Sequence, residues 1–286
     1  DAAFDRTHGS CDGDPATGKF EASSSNTFLP GADIIIEAGY DSKNELLFKG
    51  VITGQSIRID DSVGATLEIE CRDPAVKMTV GRKSRSFSQM RDSDIISSII
   101  GNYGLSSVVT TTTTVWPEQV QYYVSDWDYV LALAETNGLI VTSINGKVAV
   151  TATGEQSSSV LTVSYGSELM EFKADLNAIN QLSNVKASTW DYKNQALSSG
   201  QAAPNTAGPG NLSTKKLSDV IGLAEYKLQT TAPLETADLN NWSKAQILKS
   251  EFSKITGKAK FQGTSLVDPA KYITLGGVGD RFNGDY

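Results

Sequence analysis

The chain has 286 residues, 39% of them hydrophobic and 20% charged, which is enough for two or three packed units and is not the composition of a disordered segment. A net charge of −8 with a pI near 4.8 argues against non-specific nucleic-acid binding, which needs a basic surface to displace counterions. No apolar run approaches the roughly 20 residues of a membrane-spanning helix, and no signal peptide is visible, so stable membrane insertion is not expected.

Residues 1–27 are polar and rich in Gly and Ser, with Phe4 and Phe20 as isolated anchors, and read as a loop or frayed hairpin. Phe28-Leu29-Pro30-Gly31 turns into a strand at 33–38. A turn over 39–44 leads to a strand at 46–52, where Gly50 marks a bulge or a close approach. Residues 56–60 alternate, with Ile57 and Ile59 on one face. After a turn at 61–64, residues 65–71 alternate again, with Leu67 and Ile69 on one side, until Asp73-Pro74 breaks the strand. Short strands at this spacing argue for an antiparallel barrel or sandwich.

The pattern changes near Gly81. Asp92-Ser93 reads as an N-cap, and Ile95, Ile96, Ile99 and Ile100 form one helical face ended by Gly101 and Gly104. The five threonines 110–114 suit a strand or exposed edge. Residues 121–150 then spell a β-α-β-β unit. Ser125 is an N-cap, with Asp126 and Asp128 at the positive end of the helix dipole. Trp127, Val130, Leu131 and Ala134 fall on one apolar stripe. Gly138, after Asn137, supplies a left-handed stop. Asn145-Gly146 is a type I′ hairpin turn between strands at 139–144 and 147–151.

Further strands are expected at 160–164, 169–174 and 182–192. The segment 200–210 (GQAAPNTAGPG) is the strongest linker signal. Residues 217–226 are short and mixed. Asp238 caps a long helix with Leu239, Trp242, Ile247, Leu248, Phe252 and Ile255 on a broad face, stopped by Gly257. Strands at 258–263 and 272–275 follow. Asn283-Gly284 reads as a second hairpin turn, with Asp285-Tyr286 starting its outgoing strand. The chain begins at Asp1 without an initiator Met and stops just after this turn signal, as an excerpt from a longer protein would. A targeting signal outside the excerpt would therefore go unseen.

Candidate chemistry is sparse. His8 is the one histidine and lies in the polar first segment, a poor place for a Ser-His-Asp triad. Asp126 and Asp128 are better explained as helix-capping residues than as a catalytic pair facing across a cleft. Asp12-Gly13-Asp14 lacks the remaining ligands of a calcium loop. Gly276–Gly279 has no GK[ST] and no following helix, so it reads as a turn. Cys11 and Cys71 show no metal-ligand spacing and read as two free thiols. Arg82-Lys83-Ser84-Arg85 is the one basic cluster, a solvated loop or an ion-pair partner for a neighbouring subunit. No catalytic, cofactor or metal site is expected. The residues singled out are structural: Ser125, Trp127, Gly138, Asn145, Gly146, Asn283 and Gly284. Trp127 is expected in the core, so that Trp127→Ala would cost about 3–5 kcal/mol if it is fully buried.

Three pieces in order carry a family resemblance: Leu47-Phe48-Lys49-Gly50-Val51-Ile52-Thr53-Gly54, the stretch from Gln121-Tyr122 through Ser125-Asp126-Trp127 to Gly138, and Gly279-Asp280-Arg281-Phe282-Asn283-Gly284. Together they resemble the tail-hub part of VgrG-type (Rhs element Vgr) proteins and of contractile-phage tail hubs. The resemblance covers nearly the whole chain, but not the downstream OB-like and β-helical spike. It implies a mainly β fold with α+β insertions, in which two tail-hub-type β-barrels in each subunit form a pseudo-sixfold trimeric ring. The first barrel would occupy 1–83, completed by about 166–199. An α+β insertion would span 84–165, a linker 200–210, and a second barrel 211–286. The implied function is a non-enzymatic baseplate hub of a contractile injection system, type VI apparatus or phage-like tail. Its partners would be two further copies (a homotrimer), the tail tube protein, a spike or spike tip and other baseplate subunits. It would be assembled in the bacterial cytoplasm or as part of a particle, then driven outward on sheath contraction. The alternative from a different class is a β-rich carbohydrate- or surface-binding module.

Overall fold

The computed structural model describes residues 7–8, 13–14, 16–61, 64–153, 158–204 and 208–286. Phe4, Cys11, Asp12 and residues 205–207 of the expected linker lie outside them. The described chain is mainly β. Its longest ladder comprises β1 (Asp33–Tyr40), β2 (Lys43–Asp60) and β3 (Gly64–Arg72), antiparallel throughout. Thr7–His8 adds a short strand beyond β3.

The two strands expected at 46–52 and 56–60 are one 18-residue strand. The apparent break at Thr53-Gly54 is a bulge between Ile52 and Gly54 in the ladder to β3. The extra residue keeps Ile52 and Ile57 on one face despite their odd spacing. β2 therefore bulges at Thr53, and at Leu47 in its ladder to β1, and not at Gly50. Gly50 is instead the close-approach point: a Cβ there would lie 2.4 Å from the Arg72 carbonyl oxygen. β2 also changes partners along its length, pairing with β1 up to Val51 and with β3 from Val51 to Asp60. Ile52, Leu67 and Ile69 form a small core under this sheet, backed by Ala22, Phe28 and Ile34.

The larger core belongs to the α+β middle. β4 (Lys83–Arg91) leads into α1 (Asp92–Gly101), then come β5 (Ser106–Val109), β6 (Val115–Val124), α2 (Asp126–Thr136), β7 (Leu139–Ile144) and β8 (Lys147–Ala152). All four α1 isoleucines are fully buried against Tyr129, Val130, Leu133 and Ala134 of α2 and Val148 and Val150 of β8. Ala75 and Met78, from the turn at Pro74–Met78, belong to the same core. β4 pairs with β6, while β7, β8 and β5 form a second small sheet in which β5 and β8 are parallel.

The threonine run is no strand. It joins β5 to β6, and Thr112 is buried because its Oγ1 accepts a hydrogen bond from the Ser93 backbone N–H in the first turn of α1, at 3.2 Å. The α2 stripe is also rotated by about one residue from expectation. Tyr129, Val130, Leu133 and Ala134 are buried, Leu131 is 38% exposed and Trp127 is only partly buried. Asp126 lies on this same inward face, buried with its charge partners beside the apolar residues of the main core.

The remainder comprises β9 (Leu161–Ser164), β10 (Leu169–Leu176), β11 (Val185–Asp191), β12 (Ala196–Ala202), α3 (Thr214–Ile221), β13 (Tyr226–Thr230), α4 (Thr236–Phe252), β14 (Ile255–Phe261), β15 (Ile273–Gly276) and β16 (Gly284–Asp285). Gly200, Gln201 and Ala202 are strand residues of β12, not linker. A Cβ at Gly200 would sit 2.4 Å from the Asn240 backbone nitrogen, so this glycine lets α4 lie against β12. α3 was not expected; Ser213 caps it, and Gly222 ends it in the left-handed conformation. α4 is capped at Glu235 with Asp238 inside its first turn, and it ends at Phe252. Ile255 and Gly257 therefore belong to β14.

Two closed barrels do not appear among the described residues. These residues form seven separate sheets of two to four strands: the ladder with Thr7–His8, the Gly13–Asp14/Lys19–Phe20 pair, β4–β6, β7–β8–β5, β9–β15–β16, β10–β14 and β12–β11–β13. Each stays open because its outer strands find no further ladder partner within the described chain.

Candidate functional site

The seven residues singled out in the sequence do not converge on one site. They lie at separate junctions between elements, three of them centred on buried or half-buried aspartates.

Ser125 and Trp127 flank the first junction. The Ser125 hydroxyl accepts the Asp128 backbone N–H at 3.1 Å and donates to the Asp128 carboxylate at 2.6 Å, so the expected cap is present. Between them Asp126 is fully buried. Its Oδ1 accepts from Arg85 Nη2, and from Gln121 Nε2 at 2.9 Å. Its Oδ2 accepts from Lys83 Nζ at 2.8 Å and from the Tyr103 hydroxyl at 2.6 Å. Lys83 and Arg85 stand two apart on β4 and so reach the same side of that strand. Gln121 faces Arg85 across the β4–β6 ladder. Burial alone pushes the Asp126 carboxyl up, but hydrogen bonds from Lys83, Tyr103 and Gln121 and the Arg85 charge outweigh it and hold the pKa at about 2. The same contact with Asp126 raises the Lys83 ammonium. The basic cluster is thus committed within its own chain, with Arg82 stacked over the Tyr123 ring at 5.3 Å. Both Asp126 oxygens are saturated, which suits a clamp and not proton transfer. Asp128 stays at the surface as a cap residue.

Asn145 and Gly146 meet at the second junction. Their φ values of 54° and 81° match the expected type I′ turn. The turn also docks. Asn145 Oδ1 accepts the Lys49 backbone N–H of β2 at 2.7 Å, and the Gly146 N–H donates to Asp73 Oδ2 at 2.9 Å. Asp73 Oδ1 accepts from the Ser143 hydroxyl at 2.6 Å and from the Ala75 backbone N–H at 2.9 Å. Cys71 lines a groove of about 180 Å³ beside this contact; burial, then the Glu70 charge, pushes its thiol pKa up.

A third junction is centred on Asp92, which accepts Gln119 Nε2 at 3.1 Å and Asn137 Nδ2 at 2.8 Å. Burial raises its carboxyl. Next to it Thr114 donates to Asp238 at the start of α4. Gly138 has φ 68°, as expected for a left-handed stop, and packs on Ala245 of α4. At the C-terminal end, Asn283-Gly284 is not a two-residue turn. The β15–β16 connection spans 277–283, and Gly284 lies in β16 at φ 144°. Asn283 Oδ1 closes this loop by accepting the Val278 N–H at 3.0 Å, and the Asn283 carbonyl accepts the Gly210 N–H at 2.9 Å.

Sequence reasoning missed Asp73 and Asp92 as anchors and Asp126 as a charge centre. The usable signal for Asp126 was the alternation of Lys83 and Arg85 ahead of a helix that begins with an acid. No group of three or more His, Cys, Asp or Glu positioned for a metal occurs among the described residues.

Solved structures share the fold. The prophage MuSo2 43 kDa tail protein from Shewanella oneidensis matches with a TM-score of 0.66 at 11% identity, over 98% of this chain and 81% of that one. The tail protein from Neisseria meningitidis MC58 matches with a TM-score of 0.60 at 13% identity, over 88% and 79%. No curated protein matches the chain. The model of the family described as the Alg8 N-terminal domain matches residues 10–286, and the chain belongs to that family.

Proposed function

We propose that this chain is a structural hub component of a contractile tail or injection machine, of the VgrG or tail-hub type. In that role it would work as a homotrimer, adapting a hexameric tail tube to a trimeric spike alongside other baseplate subunits. The observation that carries the reading is the likeness in fold to a phage tail protein along 98% of the chain. The site chemistry is in keeping with it: the Asp126 and Asp73 carboxylates are spent on holding elements together. On this reading the chain catalyses nothing and is assembled in a bacterial cytoplasm or into a particle before delivery outward.

Electron microscopy of the purified chain, alone and with tube protein, tests the reading. The expected image is a three-fold ring that caps tube protein. A stable monomer that ignores tube protein and binds glycans tightly would replace this reading with a surface-binding module.

A further inference from the structure

The β12–β11–β13 sheet buries one face and presents the other. Val185, Ala187 and Thr189 of β11 are buried on the inner face, where the Ala187 N–H donates to Ser243 Oγ of α4 at 3.2 Å. The alternate residues Lys186, Ser188 and Trp190 share the outer face. The ladders set Gln201 and Lys227 beside Lys186, Ser199 and Gln229 beside Ser188, and Leu197 beside Trp190. At the Trp190 end an open groove of about 550 Å³ is lined by Trp190, Leu197, Ser188, Gln229 and Thr231. Trp190 is 46% and Leu197 62% exposed.

The other end of the face is cationic. Lys186 and Lys227 are direct neighbours in the parallel β11–β13 ladder, a like-charge pair that an incoming anion would relieve. Among the described residues, the one acid at ion-pair distance from either is Glu225, 4.0 Å from Lys227. One carboxylate at that distance leaves most of the charge of two ammonium groups to be met from outside. Trp190 stands four residues further along β11, about 13 Å at the usual strand rise. The electron-rich face of an indole attracts the polarised C–H bonds on one face of a pyranose ring. Between the two ends, the hydroxyls of Ser188 and Ser199 and the amides of Gln201 and Gln229 offer both donors and acceptors, as sugar hydroxyls require.

We propose that this face binds an extended oligosaccharide carrying carboxylates, with one ring on Trp190 and a carboxylate further along the chain held between Lys186 and Lys227. A neutral glycan leaves the lysine pair unrelieved, and an acidic peptide makes no use of the aromatic platform and its polar surround. An open face of this length suits a segment of polymer better than a small enclosed molecule. The binding goes beyond the hub reading and does not depend on it.

Isothermal titration calorimetry of the whole chain with tetrasaccharides of galacturonate and of glucuronate tests the proposal. At least one is expected to bind, more weakly as salt is added. Affinity is expected to fall about tenfold or more for Trp190→Ala, for Lys186→Gln combined with Lys227→Gln, and for wild type given the carboxyl-reduced sugar. Circular dichroism checks the fold of each variant, and the lysine variant carries the test if Trp190→Ala does not fold. Absence of binding at millimolar concentrations of both sugars overturns the proposal. Polyglutamate bound as tightly as the sugars overturns it too, in favour of an acidic protein partner. A face that becomes protected from hydrogen exchange when the chain self-associates, and takes up neither sugar, belongs instead to a contact between copies. The hub reading is judged separately, by the three-fold ring with tube protein.

Discussion

Asp126 is buried on the inward face of α2, and four donors, from β4, β6 and the turn after α1, converge on its two oxygens. With the carboxyl held at about 2 instead of 3.8, its contribution to stability is fully present above about pH 4. It is lost as the pH falls towards 2, and amounts to roughly 2 kcal/mol. Urea titrations across that range should show the loss in wild type and not in Asp126→Asn. Asp92 acts with the opposite sign: burial raises its carboxyl, so acidification from neutrality first relieves a cost there. Asp126→Ala leaves Lys83 and Arg85 facing each other without their anion, and about 3–5 kcal/mol should be missing in the same titrations at neutral pH. Asp73 ties the 143–146 turn to the segment before β4 through two hydrogen bonds, and a third, from the Ala75 N–H, fixes Asp73 itself. Asp73→Ala should cost about 1–3 kcal/mol, and hydrogen exchange should speed up at Gly146 and Lys49 but not in α1.

At the level of elements, the helix faces decide which truncations matter. Trp127 is only partly buried, whereas Leu133 is 7% exposed and inside the main core. Leu133→Ala should therefore cost about 2–5 kcal/mol and Trp127→Ala clearly less, by thermal or chemical denaturation. Most elements could be read from the sequence where local signals agreed: the four isoleucines of α1, the Ser125 cap, Gly138 and the Asn145-Gly146 turn. The failures share a cause, which is that tertiary contacts reassigned local signals. Gly200 looked like a linker because the backbone of α4, 40 residues on, cannot be seen from its neighbours. The threonine run looked like a strand, although Thr112 is used to cap a helix. The strand β2 reads as two, split at Thr53-Gly54, because a bulge breaks the alternation there. α3 carries its caps, Ser213 and Gly222, around a mostly polar segment with little periodicity. Of the candidate site, the caps and turns were legible; the aspartate partners lie up to 73 residues away and were not.

For the whole molecule, the proposed hub reading has copies of the chain cover one another, so on that reading its apparent stability depends on concentration. The midpoint of thermal unfolding should rise with protein concentration in scanning calorimetry. A midpoint independent of concentration would mean that the isolated chain is self-sufficient. The three aspartate junctions lie inside or beside the middle unit, which connects to β2 through Asn145 and to α4 through Asp238 and Gly138. That unit holds the larger hydrophobic core among the described residues.

The 18 residues of β2 span about 60 Å at the usual rise of an antiparallel strand. Its near half is bonded to one neighbour and its far half to another, so the strand works as a splice between two ladders. Tension applied along it loads many hydrogen bonds sideways and together, where a hairpin pulled from its open end would yield one bond at a time. A chain built around such a splice resists stretching along one axis while remaining compliant across it.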